Sequence, residues 1–499
     1  MRPAEEPAPP VSLGERAASA GLWSAFESWG SKASATVVFI ALTRLLAPED
    51  FGLVALGLVV VTLAQTLVRA GLAEAIVQRR DLTAHHILGA FWMSAGLGVA
   101  LATIVFLSAD GIASIFGEPD LAPLVRVLSA NFVLFGSSAV SQALLQRRLE
   151  FRSIAIRSVA GSFVGGVAGV AAALAGWGAW ALVTQNLVDQ TIAAIVLFRA
   201  APVDFRGRPR LWAIRDLLGF STRSLGIQLN NFVFRRSDDI IVGWRLGSTQ
   251  LGFYSVAYRL MRLIDDMVAK VLLNVAFPTF AKVQDDKARS AIMLRDAARI
   301  AAAALCPVFL GMSICAPEII HVAFGDQWEP AVVPMRILAL VGLLQGVQHF
   351  SASVIKAHGR MRLLLRWSLF MTIVSVTGFF FAAPHGITTV ALVYTATGYL
   401  LSPFLPIMAH RVLEADVRHW FSGLVPVLTA SGAMLASVAL IRVPLASFPD
   451  VVRLVVAVTV GAVTYGIALP LLAPDLLRRA RDLLPTRLRR RLPSRLRAA

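Results

Sequence analysis

The stretch RLLAPEDFGLVALGLVVV, Arg44 to Val61, returns in the second half of the chain as RLGSTQLGFYSVAYRLMR, Arg245 to Arg262. With one gap, each copy closes a helix on an Arg, crosses a short polar loop and opens the next helix around a Gly, Gly52 or Gly252. The match continues downstream. FGEPDLAPLVRVLSANF from Phe116 answers FGDQWEPAVVPMRILALVG from Phe324, and QRRLEFRSIAIR from Gln146 answers KAHGRMRLLLRW from Lys356. The offset stays near 200 to 210 residues (44 to 245, 116 to 324, 146 to 356), which chance does not readily produce.

Composition says what solvent the repeat is built for. Hydrophobic residues make up 57% of the 499 and charged residues 15%, where a soluble chain carries roughly a quarter charged. Successive apolar runs of roughly 20 residues predict an all-α polytopic membrane protein. Breaks at Pro, Gly and charged clusters give about fourteen spans. Their cores are 22–46, 52–77, 87–115, 121–145, 154–175, 178–198, 218–245, 249–280, 292–323, 331–357, 363–383, 387–410, 421–441 and 451–473. Each repeat then holds about six spans; the even count makes the repeats parallel, related by an axis along the membrane normal.

The expected organisation is a cytoplasmic segment 1–20, a six-helix lobe 21–199, a linker 200–217, a second lobe 218–412, two further helices within 418–475 and a basic tail 476–499. Alternate loops differ sharply in charge. QRRDLTAHH, QRRLEFRSIAIR, FRAAPVDFRGRPRLWAIR, KVQDDKARSAIMLR and KAHGRMRLLLR are basic, whereas LAPED, FGEPDLAP, GWGAW, RLGSTQ, FGDQWEP and APHGI are neutral or acidic. By the positive-inside rule the basic set and both termini are cytoplasmic. The N-terminus has no apolar core, so it does not read as a cleavable signal peptide.

The net charge of +17 lies mainly in these loops and the tail, not on a folded basic face. That argues against nucleic acid as a partner. The tail suits anionic lipid of the cytoplasmic leaflet, or is simply solvated.

Charge also occurs where it is expensive. NNFVFRRSDDIIVGW, Asn230 to Trp244, puts Arg235, Arg236, Asp238 and Asp239 inside an expected span. On a helix Gln228, Asn231, Arg235 and Asp238 follow a 3-4-3 spacing and share a face, and Arg235 is four residues from Asp239 and within pairing reach. The next helix carries Arg259, Arg262, Asp266 and Lys270 at three- or four-residue steps. In the first repeat Arg69 aligns within one position of Lys270, with Glu74 nearby. Two readings fit: neutralisation by pairing between helices, and a wet cationic cavity for an anionic substrate, since Arg grips phosphate in a bidentate manner.

LTRLLAPEDFGLVALG, RAGLAEAIVQRRDL and SDDIIVGWRLGSTQLGFYSVAYRL resemble the polysaccharide transporter branch of the multidrug/oligosaccharidyl-lipid/polysaccharide exporter superfamily, in particular Wzx-like lipopolysaccharide and exopolysaccharide flippases. The resemblance covers about residues 20 to 410. It implies two six-helix lobes in a V, and a substrate of undecaprenyl-diphosphate-linked oligosaccharide moved from the cytoplasmic to the periplasmic leaflet of the bacterial inner membrane. Cationic cavity residues would hold the diphosphate and sugar, for which position selects Arg69, Arg235, Arg259 and Lys270, with Asn231 and Gln228 beside them. Glu74, Asp238, Asp239 and Asp266 are candidates for ion or proton coupling, or for charge pairing.

A drug/cation antiporter of the same superfamily would need acid to dominate the cavity, whereas here Arg is prominent. A membrane glycosyltransferase or polymer ligase using the same lipid-linked donor would take Asp238 and Asp239 as acid, base or ligand. No metal-ligand spacing supports that, with His85 and His86 adjacent and His349 and His358 nine apart. No catalytic residue, metal or cofactor is expected. Partners are the lipid-linked oligosaccharide, membrane lipid and polysaccharide polymerase or export machinery; one chain supplies the cavity, so a functional monomer is expected. The small-residue run GSFVGGVAGVAAALAGWG reads as tight helix packing. Trp177, Trp180, Trp244 and Trp328 read as interface anchors, and Cys306 and Cys315 as packing residues.

Overall fold

The structure is a computed structural model that describes residues 30, 32–69, 76, 81–203, 211–283 and 285–476. All regular elements among them are helical, which is how an apolar chain satisfies its own backbone where lipid offers no partner. Helix α1 covers 32–45 and α2 Pro48–Arg69. Pro48 suits a first turn, where its missing N–H costs nothing, and Asp50 accepts the Ala47 N–H at 3.0 Å. The first half continues with α3 (Ala84–Phe116), α4 (Leu121–Leu128), α5 (Ala130–Arg147), α6 (Phe151–Leu174) and α7 (Ala179–Ala200). The second half comprises α8 (Leu211–Lys282), α9 (Lys287–Ile314), α10 (Ala316–Ala323), α11 (Val332–Ala357), α12 (Met361–Ala382), α13 (Ile387–Leu401), α14 (Phe404–Leu413), α15 (Arg418–Arg442) and α16 (Asp450–Leu472).

Eleven helical stretches among the described residues are long and apolar enough to cross a membrane. Three further expected spans fall elsewhere. The one at 22–46 lies partly outside the described residues, and those at 218–245 and 249–280 are arms of the charged helix α8. Positive-φ residues recur with the sequence repeat: Gly117 and Gly325, Leu149 and Gly359, Gly176 and Gly386, a step of 208 or 210 residues. The duplication seen in sequence is thus written into backbone conformation.

The described residues form two compact units, one of those up to 46 with those of 53–232, the other of 47–52 with those of 233–476. In the first, glycines set the helix spacing. Gly161, Gly165 and Gly169 of α6 lie against Gln185 and Asp189 of α7, and Gly98 and Gly136 bring α3 and α5 together on the carbonyls of Phe132 and Ser94. The small-residue run is therefore a packing stripe. One end of this unit is closed by an apolar cluster that includes Leu88, Phe91, Leu144, Ile154 and Leu197.

In the second unit a reciprocal contact joins the two copies of the opening stretch. A Cβ on Gly52 would sit 1.7 Å from the Ser248 carbonyl oxygen, and one on Gly252 would sit 1.9 Å from the Pro48 carbonyl oxygen. The paired glycines of the repeat are therefore required by each other's backbone. Trp328 fills the space beside them, edge-on to Phe51 at 5.3 Å and to Phe253 at 5.9 Å. The expectation that Trp328 anchors at the interface is corrected here: it is fully buried, because two aromatic neighbours enclose it. Trp177, Trp180 and Trp244 are exposed. Cys306 and Cys315 are both buried free thiols.

Helices α15 and α16 pack into the second unit. Tyr465 donates to the Ala303 carbonyl at 2.8 Å, Arg442 donates to Glu318 at 2.6 Å, and His321 bridges Asp450 and Glu329. Gly252→Ala is expected to lower stability by about 1–3 kcal/mol through backbone displacement. Gly432→Ala, a helical position with nothing within 4 Å of the added Cβ, is expected to raise it by about 0.5–1 kcal/mol. Thermal unfolding in detergent measures both.

Candidate functional site

Gly247 makes the site by breaking the longest helix. Its φ of 81° and ψ of 179° divide α8 into arms 211–246 and 248–282, and a side chain at that φ would be strained. Bonds cross between the arms: the Tyr254 hydroxyl donates to Asp238 Oδ2 at 3.1 Å, and Arg262 Nη2 donates to the Arg235 carbonyl at 2.7 Å.

From these anchors a polar cluster grows within the second unit. Arg262 also donates to the Tyr258 hydroxyl at 2.9 Å, with its guanidinium 4.4 Å from that ring's centre. The Tyr258 and Tyr394 hydroxyls are 3.1 Å apart, and Tyr254 stacks on Tyr258 at 5.9 Å. His349 Nε2 lies 3.5 Å from Asp265 Oδ2. Asp238 is buried, and its Oδ1, like Oδ1 of Asp265, has no hydrogen-bond partner among the described residues.

A cavity of about 210 Å³ opens onto Arg235, Tyr258, Arg262, Asp265, His349 and Tyr394. It is smaller than the roughly 300 Å³ at which drug-sized ligand pockets begin. It therefore suits a phosphate-sized group or a hydrated ion, and not an oligosaccharide. Among the described lining residues two guanidiniums stand against one carboxylate, so that part of the lining is cationic.

The sequence-based residues divide. Arg235 faces the cavity, and Asn231 is exposed on the same arm with Gln228 half-buried. Asp238 is turned into the helix bundle by Tyr254 instead of sharing that exposed face. The expected Arg235–Asp239 pairing is corrected: Asp239 pairs with Arg236 at 2.9 Å, one turn away, while the Arg235 side chain turns to the cavity. Arg259 is exposed and does not line the cavity, where Arg262 from the next turn takes its place. The side chains of Arg69, Asp266 and Lys270, and all of Glu74, lie outside the described residues.

Tyr254, Tyr258, Tyr394 and Asp265 escaped sequence reasoning, and His349 entered it only as a histidine without metal-ligand spacing. A signal existed: all five tyrosines of the chain lie in its second half, and two are four residues apart on the charged helix. Among the described residues no group of His, Cys, Asp and Glu has metal-binding geometry.

Residues 41–333 match the family model described as polysaccharide biosynthesis protein. The chain belongs to that family. It is 27% identical to the succinoglycan biosynthesis transport protein ExoT of Rhizobium meliloti, over 95% of this chain and 96% of the relative. It is 26% identical to the lipopolysaccharide biosynthesis protein WzxC of Escherichia coli, over 83% and 85%. Among solved structures, the lipid II flippase MurJ in an inward closed conformation has a TM-score of 0.74 at 12% identity, covering 91% of this chain and 99% of MurJ. A MATE multidrug transporter of the MOP superfamily in an outward-facing conformation has a TM-score of 0.58 at 16% identity, covering 79% and 95%. At these identities the structures establish the fold alone, which is all-α and polytopic.

Arg262→Ala is expected to lower stability by about 1–3 kcal/mol, because a carbonyl and a tyrosine hydroxyl both lose a charged donor. Tyr394→Phe removes one neutral bond and is expected to cost about 1 kcal/mol. Thermal unfolding of the purified variants ranks the two; the reverse order would remove Arg262 from the centre of the cluster.

Proposed function

We propose that this protein is a flippase that moves polyprenyl-diphosphate-linked oligosaccharide units from the cytoplasmic to the periplasmic leaflet of the inner membrane, by alternating access. The observation that carries the reading is the cationic cavity in a unit otherwise built of apolar helices, with Arg235 and Arg262 on its wall. Charges at that depth are retained for a partner, and a diphosphate is the anionic group of such a substrate. Family membership and the transport role in the name of the Rhizobium meliloti relative support the same reading. The cavity receives the phosphate-sized part, while sugar and polyprenyl chain lie outside it. Arg69 and Lys270 join the proposal by their place in the helical pattern of the sequence.

The same reading makes the protein a transporter and not an enzyme, working as a monomer with both termini in the cytoplasm. Asp238 is the proposed proton carrier, since one of its oxygens is buried without a hydrogen-bond partner and Tyr254 holds the other. Asp238→Asn is expected to leave binding of the lipid-linked saccharide intact and to remove the response of transport to a proton gradient, read in proteoliposomes with an imposed pH step. An unchanged response would exclude Asp238 from coupling.

In native cells lacking the protein, lipid-linked repeat units are expected to accumulate on the cytoplasmic leaflet, probed in vesicles of both orientations with an impermeant sugar oxidant. Wild type restores the periplasmic pool, and Arg235→Ala is expected to restore it at least about tenfold more slowly, from loss of one charged hydrogen-bonding group. Accumulation on the periplasmic leaflet would place the protein after translocation and overturn the reading.

A further inference from the structure

A second cationic basin lies at the opposite end of the same unit from the glycine crossing, where α9 and α12 begin and α14 ends. It encloses about 1070 Å³ and is lined by Lys287, His358, Arg360, Arg362, Arg366 and Arg411, with Glu414 the one carboxylate among its described lining residues. Lys287 takes that carboxylate at 2.6 Å. Its hydrogen bond and charge hold Glu414 below the usual carboxylate range, so the pair is internally neutral at physiological pH. None of Arg360, Arg362, Arg366 and Arg411 has an ion pair among the described residues. His358 donates from Nδ1 to the Val354 carbonyl at 3.0 Å, and its Nε2 has no hydrogen-bond partner there.

The sequence repeat supplies an internal control. The turn at Gly359 corresponds to the turn at Leu149, both left-handed. In the first copy the residue that follows, at the N-cap of α6, is Glu150. That is the favourable choice, because a helix start carries partial positive charge. Arg147 of that copy is also spent, donating to the Ile76 carbonyl at 2.9 Å. In the second copy the N-cap of α12 is Arg360, followed by Arg362 and Arg366 on the first turns. Three guanidiniums at a helix N-terminus repel one another and the helix dipole, and a bound anion removes that cost. From the basin an apolar stripe of Met361, Leu365, Leu369 and Ile373 runs exposed along α12 at four-residue steps.

We propose that this basin binds a phosphate-bearing headgroup from the adjacent leaflet, with Arg360, Arg362, Arg366 and Arg411 on the phosphate and the α12 stripe against the acyl chains. Basic pockets between transmembrane helices on the cytoplasmic side suit anionic headgroups in this way, and the loop belongs to the set the positive-inside rule places there. The apolar stripe favours a lipid over a soluble phosphate compound. The site is separate from the cavity at Arg235 and does not depend on what that cavity transports.

The test uses the full-length protein, delipidated in detergent and titrated with cardiolipin, phosphatidylglycerol, phosphatidylcholine or inorganic pyrophosphate. Binding is read by native mass spectrometry and by the shift in unfolding midpoint. Cardiolipin and phosphatidylglycerol are expected to bind and to raise the midpoint, and phosphatidylcholine is not. Arg360→Glu/Arg362→Glu, whose first change gives the second copy the N-cap Glu of the first, is expected to weaken anionic lipid about tenfold or more. Arg366→Gln/Arg411→Gln provides a second variant should the first fail to fold. The Arg-rich tail is present throughout, so it cannot account for a difference between variants. Binding of pyrophosphate without lipid would keep the phosphate chemistry and assign the site to a soluble ligand. Equal binding of phosphatidylcholine, or unchanged affinity in a folded variant, would overturn the proposal.

Discussion

Hydrocarbon offers a charged side chain no partner, so every charge at membrane depth has to be met by protein, by water or by substrate. Around Asp238 the protein meets most of it. Tyr254 takes one carboxylate oxygen, Arg236 takes Asp239, and Arg262 spreads its donors over a backbone carbonyl and a tyrosine hydroxyl. What remains is Arg235, whose side chain faces the cavity and has no ion pair among the described residues. Pairing and cavity, offered as alternatives by the sequence, thus coexist. Arg236 and the aspartates belong to the first and Arg235 to the second.

That network depends on the break at Gly247, which lets two arms of one helix exchange bonds sixteen or more residues apart. The same turn presents Ser248 to Gly52, while Gly252 receives Pro48. Two helix starts can approach this closely only because neither carries a side chain, and Trp328 then closes the junction. The polar cluster is therefore held from one end by a contact that contains no polar side chain. Glycine spacing and charge placement are parts of one construction.

Much of this was legible because the repeat is strong. The apolar runs identified the helices, and the alignment of Gly52 with Gly252 picked out two residues that turn out to pack on each other's helix start. The fate of individual charges was less legible. Helical spacing puts both Arg235 and Arg236 within reach of Asp239, and only the three-dimensional environment of each guanidinium decides between them. Trp328 was misplaced because hydropathy sees a Trp beside a polar loop, not the two phenylalanines that enclose it. The tyrosine cluster escaped because Tyr394 is brought to Tyr258 by tertiary packing, which no local period reports. Arg69 and Lys270 stay with the sequence pattern alone.

The central claim is that Arg235 faces water inside an otherwise apolar body. With the two buried cysteines, Cys306 and Cys315, replaced by alanine, single cysteines are placed by Asn231→Cys, Arg235→Cys and Val425→Cys, the last on an exposed apolar face of α15. Sealed vesicles are treated with a charged, impermeant thiol reagent, which needs a hydrated thiolate to react. The account predicts rapid labelling of Asn231→Cys and Arg235→Cys from at least one side and none of Val425→Cys. If Arg235→Cys reacts no faster than Val425→Cys from either side, there is no aqueous cavity at that position and the account is wrong.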